Sequence, residues 1–122
     1  MKIIFKGQPL STQTIYRSTC RGKFATVYMT PKGKAMKEYY QLEAKTQYKE
    51  EVSSEPLEME INLFFKDKRK RDVDNFNKLI LDSLQGIVYE DDSQITKLTI
   101  TKEICKDNPR VEIIIWTRKY TN

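Results

Sequence analysis

The sequence of 122 residues contains no histidine and only two cysteines, Cys20 and Cys105. The lack of histidine excludes serine–histidine and cysteine–histidine nucleophiles, histidine acid–base catalysis and Cys2His2 zinc sites. The two cysteines do not form a CxxC pair and cannot build a disulfide framework, so we expect a reducing, cytoplasmic compartment. Any enzymatic chemistry must therefore use carboxylates, lysine, tyrosine or a metal ion held by oxygen atoms.

Long apolar runs are also missing, and glycine and proline occur only four times each. No stretch approaches the roughly 18 apolar residues of a membrane helix. The N-terminal segment Met1–Phe5 runs straight into Lys6 and is too short for a signal peptide. Because no linker or internal repeat divides the chain, we expect one soluble domain over residues 1–122.

Lysine and arginine outnumber aspartate and glutamate by 22 to 17, which gives a net charge of +5 and a pI near 9.1. A basic balance of this size favours an anionic partner, although it does not identify one.

Hydrophobic patterning predicts an α+β domain in which two main helices pack against a mixed sheet of about four to five strands. The alternation of apolar and polar residues is clearest over 57–65, and Ile95 is expected to face away from Leu98 and Ile100. Thr30-Pro31 is typical of a helix start, and Gly86 of a helix end. Strands are predicted over 1–6, 24–29, 57–65, 94–104 and 110–118, and helices over 31–50 and 72–85.

The first predicted helix has an apolar face made by Ala35, Met36, Tyr39, Tyr40 and Leu42. Residues 7–14, which precede the second strand, are turn-like in composition.

Three charged segments lie close together in the sequence: the basic run at 66–71, an aspartate segment at 72–75 and an acidic loop at 90–92. Each alone has an ordinary interpretation, as a solvated loop, a set of helix caps and an acidic turn. Together, the basic groups and the amides of a helix start attract phosphate, and the carboxylates need a divalent cation to avoid repelling it. Mg²⁺ prefers such oxygen ligands, usually one or two carboxylates with water and substrate phosphate.

Lys78 is expected on the same helix face as Asp74, four residues earlier. Lys78 either forms an i,i+4 ion pair with Asp74, or its ammonium group offsets negative charge that develops on a phosphate. Asp82 continues this face and can pair with Lys78, and Asn75 can cap the turn or bond the aspartates. A helix of about 14 residues spans roughly 20 Å. The loop that follows it must therefore return if Asp92 is to meet Asp74, and the sequence does not show that return.

These segments resemble the RusA family of Holliday junction resolvases. The family signature is a basic run, D-hydrophobic-D-N, a lysine four residues after the second aspartate, D-[AS]-L and D-D-x-Q-[VI]. The corresponding residues are 68–78, Leu81-Asp82-Ser83-Leu84 and Asp91-Asp92-Ser93-Gln94-Ile95. The strong match covers about residues 66–96, and the N-terminal half matches more loosely.

The resemblance implies a RusA-like fold and a homodimeric endodeoxyribonuclease, dependent on Mg²⁺ or Mn²⁺, that makes paired symmetric nicks in four-way DNA junctions during recombination and repair. Members of the family are often encoded by phages or prophages. Carried over to this sequence, it places catalytic and metal-binding carboxylates at Asp72, Asp74 and Asp92, with Asp91 as an additional ligand, and an essential lysine at Lys78. The side chains expected to contact DNA are Lys66, Lys68, Arg69, Lys70, Arg71 and Asn75.

Two other functions fit parts of the sequence. A non-catalytic module that binds branched nucleic acid would use the basic run and Tyr39, Tyr40 and Tyr89, but it leaves three aspartates beside that run unexplained. A different metal nuclease could use Glu43-Ala44-Lys45 as an E-x-K motif. That motif falls inside a predicted helix, where residues two apart do not face each other.

Overall fold

The computed structural model describes residues 1–21 and 24–119. Its strands are β1 (Lys2–Lys6), β2 (Tyr16–Arg21), β3 (Phe24–Met29), β4 (Leu57–Phe65), β5 (Ile95–Ile104) and β6 (Arg110–Thr117). Its α-helices are α1 (Thr12–Ile15), α2 (Pro31–Gln47) and α3 (Lys78–Leu84). Four strands form one mixed sheet in the order β1-β6-β4-β5, and β2 pairs with β3 in a separate antiparallel ribbon, the β2–β3 ribbon. The predicted α+β class, with a mixed sheet and two main helices, is confirmed.

Strand β4 organises the core. Its odd-numbered residues from Leu57 to Phe65 are all buried, which confirms the alternation that the sequence shows. The strand pairs in parallel with β5 and antiparallel with β6, so it lies inside the sheet with hydrogen bonds on both sides. Its core face packs with α2, α3 and the segment that contains the fully buried Tyr89.

A bulge at the start of β5 corrects the prediction for Ile95. The pairing advances from Leu57–Ile95 to Glu58–Lys97, so one extra residue of β5 is accommodated there. Because the bulge reverses the alternation, Ile95 packs against the core on the same side as Leu98 and Ile100, and not on the opposite face.

Helix α2 begins as predicted, since the Thr30 hydroxyl accepts a hydrogen bond of 3.1 Å from the Gly33 amide and Pro31 follows the cap. The prediction of its buried face is partly wrong. Gly33, Tyr40 and Ala44 are buried, and Met36 and Tyr39 are half-buried, whereas Ala35 is exposed and Leu42 is 64% exposed. The buried face includes Gly33, where α2 approaches α1 so closely that a β-carbon would lie 2.7 Å from Cγ2 of Ile15.

The predicted continuous helix over 72–85 is wrong. The chain instead forms a 3-10 turn at Val73–Asn75, and α3 starts only at Lys78. Phe76 interrupts the helix with φ −123° and ψ −4°, and its ring packs edge-on against Phe65 with centroids 5.1 Å apart. Asp74 and Lys78 therefore do not share one helix face.

Two elements of the N-terminal part were not predicted. Helix α1 occupies part of the turn-like segment, with Ser11 as its cap, and β2 follows it directly. The expected strand at 24–29 is present as β3. Among the described residues, no helix is long and apolar enough to cross a membrane.

Candidate active site

The carboxylate of Asp72 does not cap the turn that it precedes. The Asn75 amide donates a hydrogen bond of 3.1 Å to the backbone carbonyl of Asp72, but the Asp72 side chain makes no capping hydrogen bond. Asp74 is the middle residue of this 3-10 turn, and both Asp72 and Asp74 are exposed. The capping interpretation of Asp72 is therefore wrong, and its carboxylate faces solvent.

Arg71 differs from the other members of the basic run because it is held by its neighbours. Its guanidinium lies 2.8 Å from Oδ1 of Asp67 and 4.3 Å from the ring centroid of Phe65, and its side chain is only 16% exposed. A hydrogen bond from the Arg69 amide, and then the Arg71 guanidinium, lower the pKa of the Asp67 carboxyl, which keeps this pair ionised. Arg71 thus fixes the loop, while the remaining basic side chains are exposed; these are Lys66, Lys68, Arg69 and Lys70.

A cleft of about 610 Å³, the basic cleft, separates the basic run from α1. One wall carries basic side chains and the other carries small polar side chains, with Asp72 in the lining as well. The Thr12 hydroxyl donates a hydrogen bond of 2.8 Å to the Asn75 carbonyl, which joins α1 to the aspartate turn. A cleft with this lining suits a phosphodiester backbone. Its charged and polar lining residues are Lys66, Asp67, Arg69, Lys70, Arg71, Asp72, Asn75, Gln8, Ser11, Gln13 and Thr14. The Asp67 carboxylate is paired with Arg71, whereas that of Asp72 makes no capping hydrogen bond. Lys68 lies outside it and borders a second pocket beside Lys102.

Lys78 sits in a cluster with Asp82 and Tyr16, the Lys78 cluster. Its Nζ lies 3.3 Å from Oδ2 of Asp82, and the Tyr16 hydroxyl donates a hydrogen bond of 2.7 Å to the same oxygen. Nζ of Lys78 is also 4.7 Å from the centroid of the Tyr16 ring. Burial and the Asp82 carboxylate raise the pKa of Tyr16, so the phenol stays a neutral donor. The i,i+4 pairing of Lys78 and Asp82 is therefore present, and Tyr16 is an additional member.

The two aspartates of the acidic loop, Asp91 and Asp92, have different structural roles. Asp91 caps the 3-10 turn at Asp92–Gln94, accepting a hydrogen bond of 2.9 Å from Ser93, and forms a capping box with Gln94. The Asp92 amide donates to Oε1 of Gln85 at 3.4 Å, which links the loop to the end of α3. The Asp91 carboxylate thus caps the turn. The neighbouring carboxylate of Asp92 remains as the candidate metal ligand of this loop.

The hydrogen bond to Gln85 places Asp92 next to the C-terminal end of α3. Partial burial, then the hydrogen bond and charge of Asp91, and then the charge of Asp82 raise the pKa of Asp92, while Lys78 lowers it. The loop does return toward α3 after Gly86, which has a positive φ of 85°. Asp92 thus lies beside the C-terminal end of α3, where the charges of Asp82 and Lys78 reach it.

The acidic side chains fit Mg²⁺ in type, but no three of them form a metal-binding group within residues 1–21 and 24–119. Asp72 lines the basic cleft, whereas Asp92 lies beside the C-terminal end of α3. Mg²⁺ usually binds one or two carboxylates and completes its shell with water and substrate phosphate. The described residues therefore form no closed protein cage for the ion, and a magnesium site here would need water and substrate phosphate to complete it.

The sequence analysis missed two contributors. Asp67 had no assigned role, although its position four residues before Arg71 is a signal for an ion pair. Tyr16 is 66 residues from Asp82, and no local pattern could reveal that contact.

Comparison with known proteins identifies one family and one relative. The model of the family described as endodeoxyribonuclease RusA matches residues 6–116. The chain is also 27% identical to the uncharacterized protein YqaN of Bacillus subtilis strain 168, in an alignment of 138 positions that covers 94% of each chain. The family match spans every charged side chain of the candidate site.

Proposed function

The chain belongs to the RusA endodeoxyribonuclease family, and we propose that it is a nuclease that resolves four-way DNA junctions by paired symmetric nicks in recombination and repair. One observation carries this proposal: the Asp72 carboxylate, which caps nothing, lines a cleft whose wall is basic. A domain that only binds phosphate gains nothing from a carboxylate there, because it repels the ligand. A hydrolytic site needs both charges.

The carboxylates of Asp72, Asp74 and Asp92 would hold Mg²⁺, for which Mn²⁺ can substitute, with Asp91 supporting Asp92. The ion, when bound, supplies the activation of water and the neutralisation of phosphate charge that phosphodiester hydrolysis requires. Support for this assignment comes from the oxygen-only donors and from the absence of histidine in the sequence. The expected products carry a 5′-phosphate and a 3′-hydroxyl.

The basic side chains have different tasks in this proposal. Lys78 offsets negative charge at the scissile phosphate, and Asp82 and Tyr16 set the position of its ammonium group. Arg71 fixes the loop through Asp67 and stabilises nearby phosphate charge. The exposed members of the basic run grip the flanking backbone; these are Lys66, Lys68, Arg69 and Lys70, with Asn75 beside them.

A homodimer acting in the cytoplasm completes the proposal. A four-way junction has two-fold symmetry, so a dimer with the same symmetry presents two sites for two opposed cuts. The observable consequence is that one dimer cuts both opposed strands of a junction before it dissociates.

Cleavage of matched labelled substrates tests the proposed function. The full-length protein is incubated in Mg²⁺, or in EDTA, with a four-way junction, a linear duplex and a single strand that share one sequence. We expect symmetric nicks in the junction alone, and none in EDTA. Tight junction binding without cleavage in Mg²⁺ or Mn²⁺ would replace the proposal with a non-catalytic binding module.

A further inference from the structure

The net positive charge of the chain comes from its N-terminal third. Residues 1–37 contain eight lysine and arginine side chains and no aspartate or glutamate, whereas residues 38–122 contain fourteen basic and all seventeen acidic side chains. The excess of positive charge therefore lies in the part of the chain that includes the β2–β3 ribbon, because residues 38–122, which contain the basic run, carry a net charge of −3.

Residues 17–18 and 26–28 of the β2–β3 ribbon are exposed, and they lie on both of its faces. Successive residues of a strand point to opposite faces, and Val27 is 68% exposed while its neighbour Tyr28 is 46% exposed. Arg17 pairs directly with Tyr28 and is itself exposed, so a cation and an aromatic ring lie side by side on one face. None of the ion pairs formed among the described residues involves Arg17.

The base of the ribbon is fixed to the candidate active site. The Thr30 amide donates a hydrogen bond of 2.7 Å to the Ile15 carbonyl, and the Thr30 hydroxyl donates one of 2.8 Å to the Thr14 carbonyl. Tyr16, the first residue of β2, bonds Asp82 in the Lys78 cluster. Thr14 also lines the basic cleft, so the ribbon extends directly from the cleft wall.

Shape and chemistry together indicate the occupant. Six residues in each strand, at about 3.3 Å per residue, make a ribbon roughly 20 Å long. A two-stranded ribbon fits the major groove of duplex DNA. Guanidinium, hydroxyl and tyrosine side chains contact phosphate and sugar, and an acid-free surface meets no repulsion from that backbone.

We propose that the β2–β3 ribbon is a DNA-contacting arm that lies against a duplex arm of the substrate beside the basic cleft. The inference rests on the proposed function for the identity of the substrate, but the binding that it describes can be measured without cleavage.

The test is equilibrium binding of the full-length protein to a fluorescent four-way junction in EDTA, over a series of NaCl concentrations. The variants are Arg17→Gln and Thr26→Glu, which change exposed positions on the Arg17 face of the ribbon. Lys106→Gln, in the exposed turn between β5 and β6, is the control with the same loss of charge as Arg17→Gln. Circular dichroism verifies that each variant is folded.

We expect Arg17→Gln to weaken binding and to reduce the slope of log affinity against log salt by about 1, with a larger loss of affinity for Thr26→Glu. Lys106→Gln is expected to match the wild type. Wild-type affinity and slope in both ribbon variants would overturn the inference. So would a dimer that becomes a monomer in Thr26→Glu while the salt slope stays unchanged, because the ribbon would then bind a second copy.

The two proposals fail separately. If the wild type cleaves the junction and the ribbon variants bind normally, the ribbon inference is wrong and the nuclease proposal stands. If the wild type cleaves nothing and Arg17→Gln still weakens DNA binding, the nuclease proposal is wrong and the ribbon inference stands.

Discussion

The hydroxyl of Tyr16 donates a hydrogen bond of 2.7 Å to Oδ2 of Asp82, the same oxygen that lies 3.3 Å from the ammonium of Lys78. One carboxylate oxygen thus joins the base of the β2–β3 ribbon to the lysine on α3. The arrangement limits where the Lys78 ammonium can lie, and it couples the N-terminal third of the chain to the candidate active site.

Tyr16→Phe removes this hydrogen bond and keeps the ring next to Lys78. We expect the free energy of unfolding to fall by about 1 kcal/mol, because a charged acceptor loses its donor. Cleavage is also expected to slow, since Asp82 then has one partner fewer to fix its position. Urea unfolding and a cleavage assay measure the two effects. For the unfolding measurement, Tyr28→Phe at an exposed tyrosine is the matched control, and equal stability of the two variants would contradict the prediction.

Arg71 and Lys70 are neighbours in the basic run with opposite expected phenotypes. Arg71→Gln breaks the ion pair with Asp67 and the contact with the Phe65 ring, so we expect a loss of roughly 1–2 kcal/mol in unfolding free energy. Lys70→Gln changes an exposed side chain and is expected to alter stability by less than about 0.5 kcal/mol. Its effect is on DNA binding, where the salt slope decreases by about 1. Thermal unfolding measures the effect on stability, and a DNA-binding titration measures the effect on affinity. An Arg71→Gln protein as stable as the wild type would contradict the structural role of Arg71.

Gly33→Ala is expected to destabilise the protein even though alanine favours helices. A β-carbon at this position would lie 2.7 Å from Cγ2 and 2.8 Å from the carbonyl oxygen of Ile15, so α1 and α2 must separate. Overpacking of this kind costs about 1–3 kcal/mol and exceeds a helix-propensity gain of about 1 kcal/mol. Urea unfolding of Gly33→Ala is compared with that of Lys34→Ala, an exposed site on the same helix. A Gly33→Ala protein more stable than the wild type would show that the contact relaxes freely.

Tyr40 makes the fold sensitive to alkali. Burial, and then the neighbouring Tyr39, raise its pKa above the ordinary value of 10.0. The folded state holds this proton more tightly than the unfolded chain does, so the stabilisation is complete below pH 10 and is lost as the pH rises above it. Tyr40→Phe keeps the stacked contact with Phe5, whose centroid is 4.2 Å away, but cannot ionise.

We therefore expect the difference in unfolding free energy between Tyr40→Phe and the wild type to move in favour of the variant between about pH 9 and 11. Urea unfolding across that range measures it, with Tyr28→Phe as an exposed control. A difference independent of pH would mean that Tyr40 ionises equally in both states.

Much of the sheet could be predicted from sequence because its strands follow local rules. The alternation over β4 and the Thr30-Pro31 start of α2 both appear as expected. The interruption of the helix could not be predicted, because the spacing of Val73, Phe76 and Ile80 is also that of one apolar face of a continuous helix. Packing of the Phe76 ring against Phe65, distant in the sequence, decides the local conformation. The bulge beside Ile95 is likewise visible only through its partner strand.

In the candidate site, too, contacts between residues close in the sequence could be predicted, and contacts between distant residues could not. The pairing of Lys78 with Asp82 follows from their spacing and is present. The contact of Tyr16 with Asp82, and the proximity of Asp92 to α3, depend on how the chain returns on itself. Whether Asp72, Asp74 and Asp92 act on one phosphate stays a prediction, because these side chains form no metal-binding group among the described residues.

The measurement that tests the central claim most directly compares Asp74→Asn with Asp107→Asn on a labelled four-way junction. Asp107 is an exposed aspartate in the turn between β5 and β6, so the second variant removes the same charge away from the candidate site. We predict that Asp74→Asn retains junction binding and loses cleavage by at least about a hundredfold, since a ligand for the catalytic ion is removed. Asp107→Asn is predicted to cleave like the wild type. Undiminished cleavage by Asp74→Asn would contradict the account, because the aspartate turn would then have no part in the chemistry.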